Sequence, residues 1–147
     1  MTQVFTVGVS RFINFGLSVS KMDLRKRPSG ERVVAVLNSA EDIELARRFT
    51  QSLRESDIIL INSDIRELYE CAKGRRFLTY GFGRGACVSA SSIVSSDFGT
   101  TVQVCVMRAF RNLSGQKVIE QEFPVTASQE IQVSDILASI STFLLCN

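Results

Sequence analysis

Val33-Val34-Ala35-Val36-Leu37 is five apolar residues in a row, with no polar residue between them. A strand with one wet face alternates apolar and polar. A strand covered on both faces does not, and parallel sheets are covered on both faces. Ile58-Ile59-Leu60-Ile61 repeats the pattern, and Arg76 to Tyr80 supplies a third strand. Between the first two, Ser39 to Asp42 reads as a helix start, with Ser39 as N-cap and an acid three residues on. Ile43, Ala46, Phe49 and Leu53 then form an apolar stripe at helical spacing. Between the second and third, Ser63 reads as a cap. Ile65, Leu68, Tyr69 and Ala72 form the stripe, and Gly74 the C-terminal stop. This strand–helix–strand–helix–strand order implies parallel pairing through right-handed crossovers.

Upstream, Val4, Phe5, Val7 and Val9 suit a strand, and Phe12 to Leu17 a second short one. The basic stretch Lys21 to Arg27 runs into Pro28-Ser29-Gly30 and reads as a loop or frayed helix. Downstream, Cys87 to Val94, Thr100 to Phe110 and Lys117 to Val125 suit the strands of an antiparallel meander. Its turns fall at Asp97-Phe98-Gly99 and Ser114-Gly115. Val102, Val104 and Val106 would face the core, with Thr101 and Gln103 outward. Ile136, Leu137, Ile140, Phe143 and Leu144 predict a closing helix. The expected fold is a single α/β domain over residues 1–147. Its sheet has two or three layers, a parallel βαβαβ first half, an antiparallel meander and a C-terminal helix.

A net charge of +2 over 147 residues gives no bulk electrostatic reason to expect a nucleic-acid or membrane partner. No apolar run reaches the roughly 18 residues of a membrane helix, and the first 16 residues lack a signal-peptide pattern. A cytoplasmic setting is expected, because unbridged cysteines suit a reducing compartment. Cys71, Cys87, Cys105 and Cys146 form no C-x-x-C pair and read as free thiols. The chain has no histidine. That excludes a Ser-His-Asp triad, a histidine base and a histidine metal ligand.

Gly81-Phe82-Gly83-Arg84-Gly85 invites comparison with phosphate loops. Its spacing matches neither common motif, and a strand follows it, so a crossover loop is the preferred reading. Lys21, Arg25, Lys26 and Arg27 read as a solvated basic loop. Glu41, Asp42 and Glu44 read as acids complementing a helix dipole rather than as a Mg²⁺ site. The serines from Ser89 to Ser96 have no base to activate them. No catalytic residue and no metal ligand is expected.

The order of segments resembles the Mur ligase family. Asn14-Phe15-Gly16-Leu17 is similar to that family's T-N-I-G-x-D-H stretch. Lys21, Gly30 and Ala35-Val36-Leu37-Asn38 follow in the order of its A-K…G…A-V-L-N-A-D-D. Thr79-Tyr80-Gly81-Phe82 followed by Ala86-Cys87-Val88-Ser89-Ala90 resembles T-Y-G-F…A-D-V-R-A, and Asp135-Ile136-Leu137-Ala138-Ser139 resembles a closing N-A-L-A-A helix. The resemblance runs along nearly the whole chain and places it in the later half of the family's central domain. It implies ATP and Mg²⁺ as ligands and amide-bond formation through an acyl phosphate. It also implies that the phosphate loop, G-T-x-G-K-S/T, would lie before Met1.

The departures from the family bear on activity. Its metal-binding D-H pair corresponds to Ser18-Val19, which offers neither carboxylate nor imidazole. Its adenine-contacting Asn corresponds to Asp135, which lacks the amide donor. The resemblance therefore leaves Lys21, Asn38 and Asp135 as the cofactor-binding candidates. It implies a Mur-ligase-like fragment related to ATP-dependent amide ligases of cell-wall or poly-amino-acid synthesis, not catalytic alone. The alternative is a non-enzymatic interaction module, forming a homodimer or pairing with a partner chain through an exposed sheet edge.

Overall fold

The computed structural model describes residues 2–26 and 31–147. Arg27 and Pro28-Ser29-Gly30 lie outside the described residues. The strands are β1 (Thr2–Val7), β2 (Ser18–Lys21), β3 (Arg32–Leu37), β4 (Ile58–Asn62), β5 (Phe77–Tyr80), β6 (Val88–Ser96), β7 (Gly99–Val106), β8 (Phe110–Arg111), β9 (Lys117–Val118) and β10 (Gln121–Ala127). The helices are α1 (Ile43–Gln51), α2 (Tyr69–Ala72), which follows a 3₁₀ turn at Arg66–Leu68, and α3 (Val133–Cys146).

One eight-stranded sheet runs in the order β10-β7-β6-β5-β4-β3-β1-β2, and β8 pairs with β9 apart from it. Every pairing from β2 across to β6 is parallel. The pairs β6–β7 and β7–β10 are antiparallel.

Both faces of β3 and β4 are covered, which is why each carries an unbroken apolar run. Val34, Val36, Ile58 and Leu60 pack in one core with Ile136, Leu137 and Ile140 of α3. Val33, Ala35, Leu37, Ile59 and Ile61 pack on the opposite face with Ala46 and Phe49 of α1 and with Leu68 and Ala72. In the antiparallel half, Val102 and Val104 join the α3 core. On the other face the Thr101 and Thr126 hydroxyls share a hydrogen bond of 2.9 Å, and Cys105 Sγ donates to Glu122 at 3.2 Å. The sheet thus has three layers in its parallel half and two in its antiparallel half. The alternation expected for Val102, Val104 and Val106 against Thr101 and Gln103 is present.

Several local expectations are corrected. Phe12 to Leu17 is a loop, and the strand lies just beyond it at Ser18–Lys21, so Lys21 ends a strand rather than opening a loop. α1 starts at Ile43, with Asp42 and not Ser39 at its N-cap position, and no side chain caps it. Ser39 Oγ instead accepts from the Glu41 N–H within the loop. Ser63 does not cap a helix either, because its hydroxyl is spent on the Tyr80 carbonyl at 3.1 Å. The second helical segment is short because a turn ends it. Lys73 (φ −59°, ψ 124°) and Gly74 (φ +74°) form a type II turn, closed by the Arg75 N–H on the Ala72 carbonyl at 2.9 Å. Thr100 to Phe110 breaks after Val106. α3 is buried all round from Asp135 to Thr142 rather than along one stripe, because loops close over it. Among the described residues, no helix is long and apolar enough to cross a membrane.

Candidate functional site

Parallel α/β sheets gather their polar groups at the C-terminal ends of the strands. Here four such groups meet: Asn38 just past β3, Asn62 at the end of β4, Tyr80 at the end of β5, and Asp135 in the first turn of α3. All four are buried. The Asn38 amide donates to the Gly8 carbonyl at 2.9 Å and to Asp135 Oδ1 at 3.1 Å. Its Oδ1 accepts the Tyr80 hydroxyl at 2.7 Å, and the Asn62 amide donates to the Asn38 carbonyl at 3.1 Å. Asp135 Oδ2 accepts the Arg11 backbone N–H at 3.2 Å. Both amide protons of Asn38 and both oxygens of Asp135 are therefore committed inside the protein.

The loop from Gly8 to Leu17 seals this network over α3. The Ile13 N–H donates to Ser139 Oγ at 3.0 Å, Arg11 pairs with Glu130 at 2.5 Å, and the Phe15 ring lies 5.0 Å from that of Phe143. Burial has electrostatic consequences. It lifts the Asp135 carboxyl above the ordinary aspartate value, against the lowering effect of the Arg11 and Ser10 backbone donors. Burial also lifts the Tyr80 phenol well above its usual range, helped by the Asp135 and Asp64 charges.

Of the residues singled out from the sequence, Asn38 and Asp135 are brought together and Lys21 is not in direct contact with them. Lys21 is exposed at the end of β2, where it lines a cleft of about 590 Å³ with Thr6, Gly8, Ser10, Glu41 and Asp42. Tyr80 and Asn62 escaped the sequence reading. Their signal is a polar residue closing an otherwise apolar strand.

The glycine loop is also engaged internally. The Phe82 and Gly83 N–H groups each donate to the Asp64 carboxylate at 2.8 Å. A side-chain carboxylate thus takes the place that a phosphate would need. Of the basic cluster, Arg25 turns back on Asp23 at 3.3 Å. Glu44 pairs with Arg47 at 3.0 Å. The four cysteines are free thiols. Burial raises the pKa of Cys71, Cys87 and Cys146, the last to about 11, so these thiols stay protonated near neutrality.

Among the described residues, no group of three or more histidine, cysteine, aspartate or glutamate side chains could hold a metal ion. Ser18 and Val19 lie in β2, where the resemblance would place metal ligands.

The chain has an α/β fold of the Mur-ligase type, as two solved structures show. Its structure is similar to that of MurF from Acinetobacter baumannii, with a TM-score of 0.56 at 12% identity, over 76% of this chain and 25% of that one. It is also similar to folylpolyglutamate synthetase from Lactobacillus casei, with a TM-score of 0.50 at 12% identity, over 86% of this chain and 31% of that one. The chain thus spans about a quarter to a third of the length of these enzymes. No family model matches the sequence, and no curated protein matches it.

Proposed function

We propose that this chain is a Mur-ligase-like module that does not catalyse ligation and in which the nucleotide-facing groups have become an internal fastening. The observation that carries this reading is the saturation of Asn38 and Asp135. The Asn38 amide gives its protons to Gly8 and Asp135, and Asp135 has no oxygen left over. ATP and Mg²⁺ are the ligands that the resemblance implies. Phosphoryl transfer rests on positioning and on charge stabilisation by a metal, and these residues supply neither. Lys21 is the one candidate that faces a cleft, and Glu41 and Asp42 share that cleft with it.

The test is a melting-temperature titration with Mg-ATP. A ligand at a hundred times its Kd adds about 2.7 kcal/mol of stability. A flat response to millimolar Mg-ATP is expected. A saturable rise that disappears in Lys21→Ala would overturn the reading.

The alternative, association through a sheet edge, finds no support in the two outer strands. β2 is four residues long, and β10 carries Pro124, which cannot donate to an incoming strand. Both features blunt their edges, so a monomer is expected in light scattering.

A further inference from the structure

The sheet is incomplete between β5 and the chain beyond β7. β6 meets β5 through a single residue pair, Tyr80 with Val88. Next to it, three chains run side by side, because the Cys87 N–H donates to the Thr79 carbonyl at 3.1 Å and the Met107 N–H to the Cys87 carbonyl at 2.7 Å. Towards the start of β5 the middle chain leaves the ladder through Ala86 and Gly85, the Gly85 carbonyl accepting from the Thr79 hydroxyl at 3.4 Å and from Arg108. The outer chain continues through Arg108, Ala109 and Phe110. A gap of about 390 Å³ lies between them, lined by Tyr69, Phe77, Leu78, Thr79, Arg108 and Phe110 among others. Removing one strand from a ladder leaves about 9–10 Å between its neighbours, the width of one extended chain.

Part of the β5 backbone that faces this lane has no backbone partner among the described residues. The Arg76 and Tyr80 carbonyls point to the β4 side, where they accept the Ile59 and Ser63 N–H groups. The Thr79 carbonyl and the Gly81 N–H point to the β6 side. By strand alternation, Phe77 and the Thr79 N–H face the lane as well. Among the described residues the Phe77 N–H and C=O and the Thr79 N–H have no backbone partner. The Phe77 carbonyl and the Thr79 N–H are the pair of groups that one residue of a parallel strand would engage.

The side chains around the lane suggest what would enter it. Tyr69 and Phe77 stand edge to face at 6.2 Å, each about two-fifths exposed, on the open face. Arg108 is the charged residue of the lining; its guanidinium donates to the Gly85 carbonyl, and no carboxylate lines the gap with it. Arg76 is exposed at the entrance and Arg84 lines the adjoining pocket.

We propose that this lane binds an extended, acidic peptide segment of a partner protein, which adds a short strand beside β5. The main chain would provide pairing, Arg108 the preference for an acid, and Tyr69 with Phe77 an apolar contact. The lane is lined by Phe77, Leu78 and Thr79 and not by Asn38, Tyr80 or Asp135, so this proposal does not depend on the fate of the nucleotide-facing groups.

The probe is the blocked peptide Ac-Thr-Val-Glu-Val-Thr-NH₂, titrated into the full chain labelled with ¹⁵N. At saturation, amide exchange at Phe77 and Thr79 should slow at least tenfold. Methylating the central peptide nitrogen, or replacing the glutamate by lysine, should each weaken binding about tenfold. The idea is overturned if millimolar peptide leaves exchange at Phe77 and Thr79 unchanged. It is equally overturned if the N-methyl peptide binds as well as its parent, or if free glutamate or oligothymidine gives the same protection.

Discussion

Val36 in β3 and Val104 in β7 are both wholly buried, yet the residues beside them live in different surroundings. The neighbours of Val36, Ala35 and Leu37, point into a second core under α1 and are equally buried. On the outward face beside Val104, Thr101 and Gln103 are half-buried and polar, and Cys105 is buried against Glu122. One half of this sheet is held by two cores and the other by one. A helix layer on a second face removes the need for alternation, and its absence restores it. The same contrast separates two polar regions of the molecule. The parallel half ends in a buried, saturated polar cluster, whereas the junction with the antiparallel half leaves backbone groups unpaired.

The largest test of this contrast is truncation on either side of it. Leu60→Ala, inside the two-core half, should cost about 3–4 kcal/mol of stability through lost burial and a residual cavity. Val94→Ala, on the exposed part of β6, should change stability by less than about 0.5 kcal/mol. Urea midpoints at constant slope would measure both. Comparable losses would mean that the antiparallel half is as tightly packed as the parallel one.

Next in size is the polar cluster. Asn38→Ala would remove a partner from the Tyr80 hydroxyl, the Gly8 carbonyl and one oxygen of Asp135, while Asn62 keeps the backbone carbonyl of residue 38, at a cost of about 2–3 kcal/mol. A loss below about 0.5 kcal/mol would show that water replaces the amide and that the cluster is open to ligands. Asp135 adds a pH signature. Its carboxyl is raised above the ordinary value, so the native state holds the proton more tightly than the unfolded chain. Its contribution to stability is therefore greatest in acid and falls as pH rises through the native titration. The stability advantage of the wild type over Asp135→Asn should shrink over that interval. An advantage that grows with pH would mean that the native state favours the carboxylate.

At the β6–β7 turn, Gly99 has φ +137°, and a Cβ there would overlap the Ala127 carbonyl oxygen of β10. Gly99→Ala should cost about 1–3 kcal/mol, because it combines a disfavoured conformation with a backbone collision. The melting temperature would report it, and a neutral result would show that β10 yields. The smallest expected effect is Thr126→Val. It removes one hydroxyl of the pair on the uncovered face, for about 0.5 kcal/mol or less, because the Thr101 hydroxyl then turns to water.

The two-core half was readable from the uninterrupted runs at residues 33–37 and 58–61, and the one-core half from the alternation through Val102, Val104 and Val106. Helix starts were less legible. Ser39 and Ser63 have cap-forming side chains, but their hydroxyls found partners within a loop and on a neighbouring strand. Asn38 and Asp135 were drawn from a resemblance in motif order, which identified two positions without showing that they touch. Tyr80 was hidden because a tyrosine at a strand end looks like ordinary strand composition, and its hydroxyl partner lies 42 residues away.

The sequence by itself determined which strands lie under two layers of helix and which under one, because side-chain periodicity records how many faces are dry. The tertiary structure alone decided that Asn38 and Asp135, 97 residues apart, satisfy each other. It alone decided, too, that the glycine loop holds Asp64 and that β5 keeps an unpaired stretch. Each of these depends on which polar group the folded chain delivers within about 3 Å, and local periodicity carries no record of that distance.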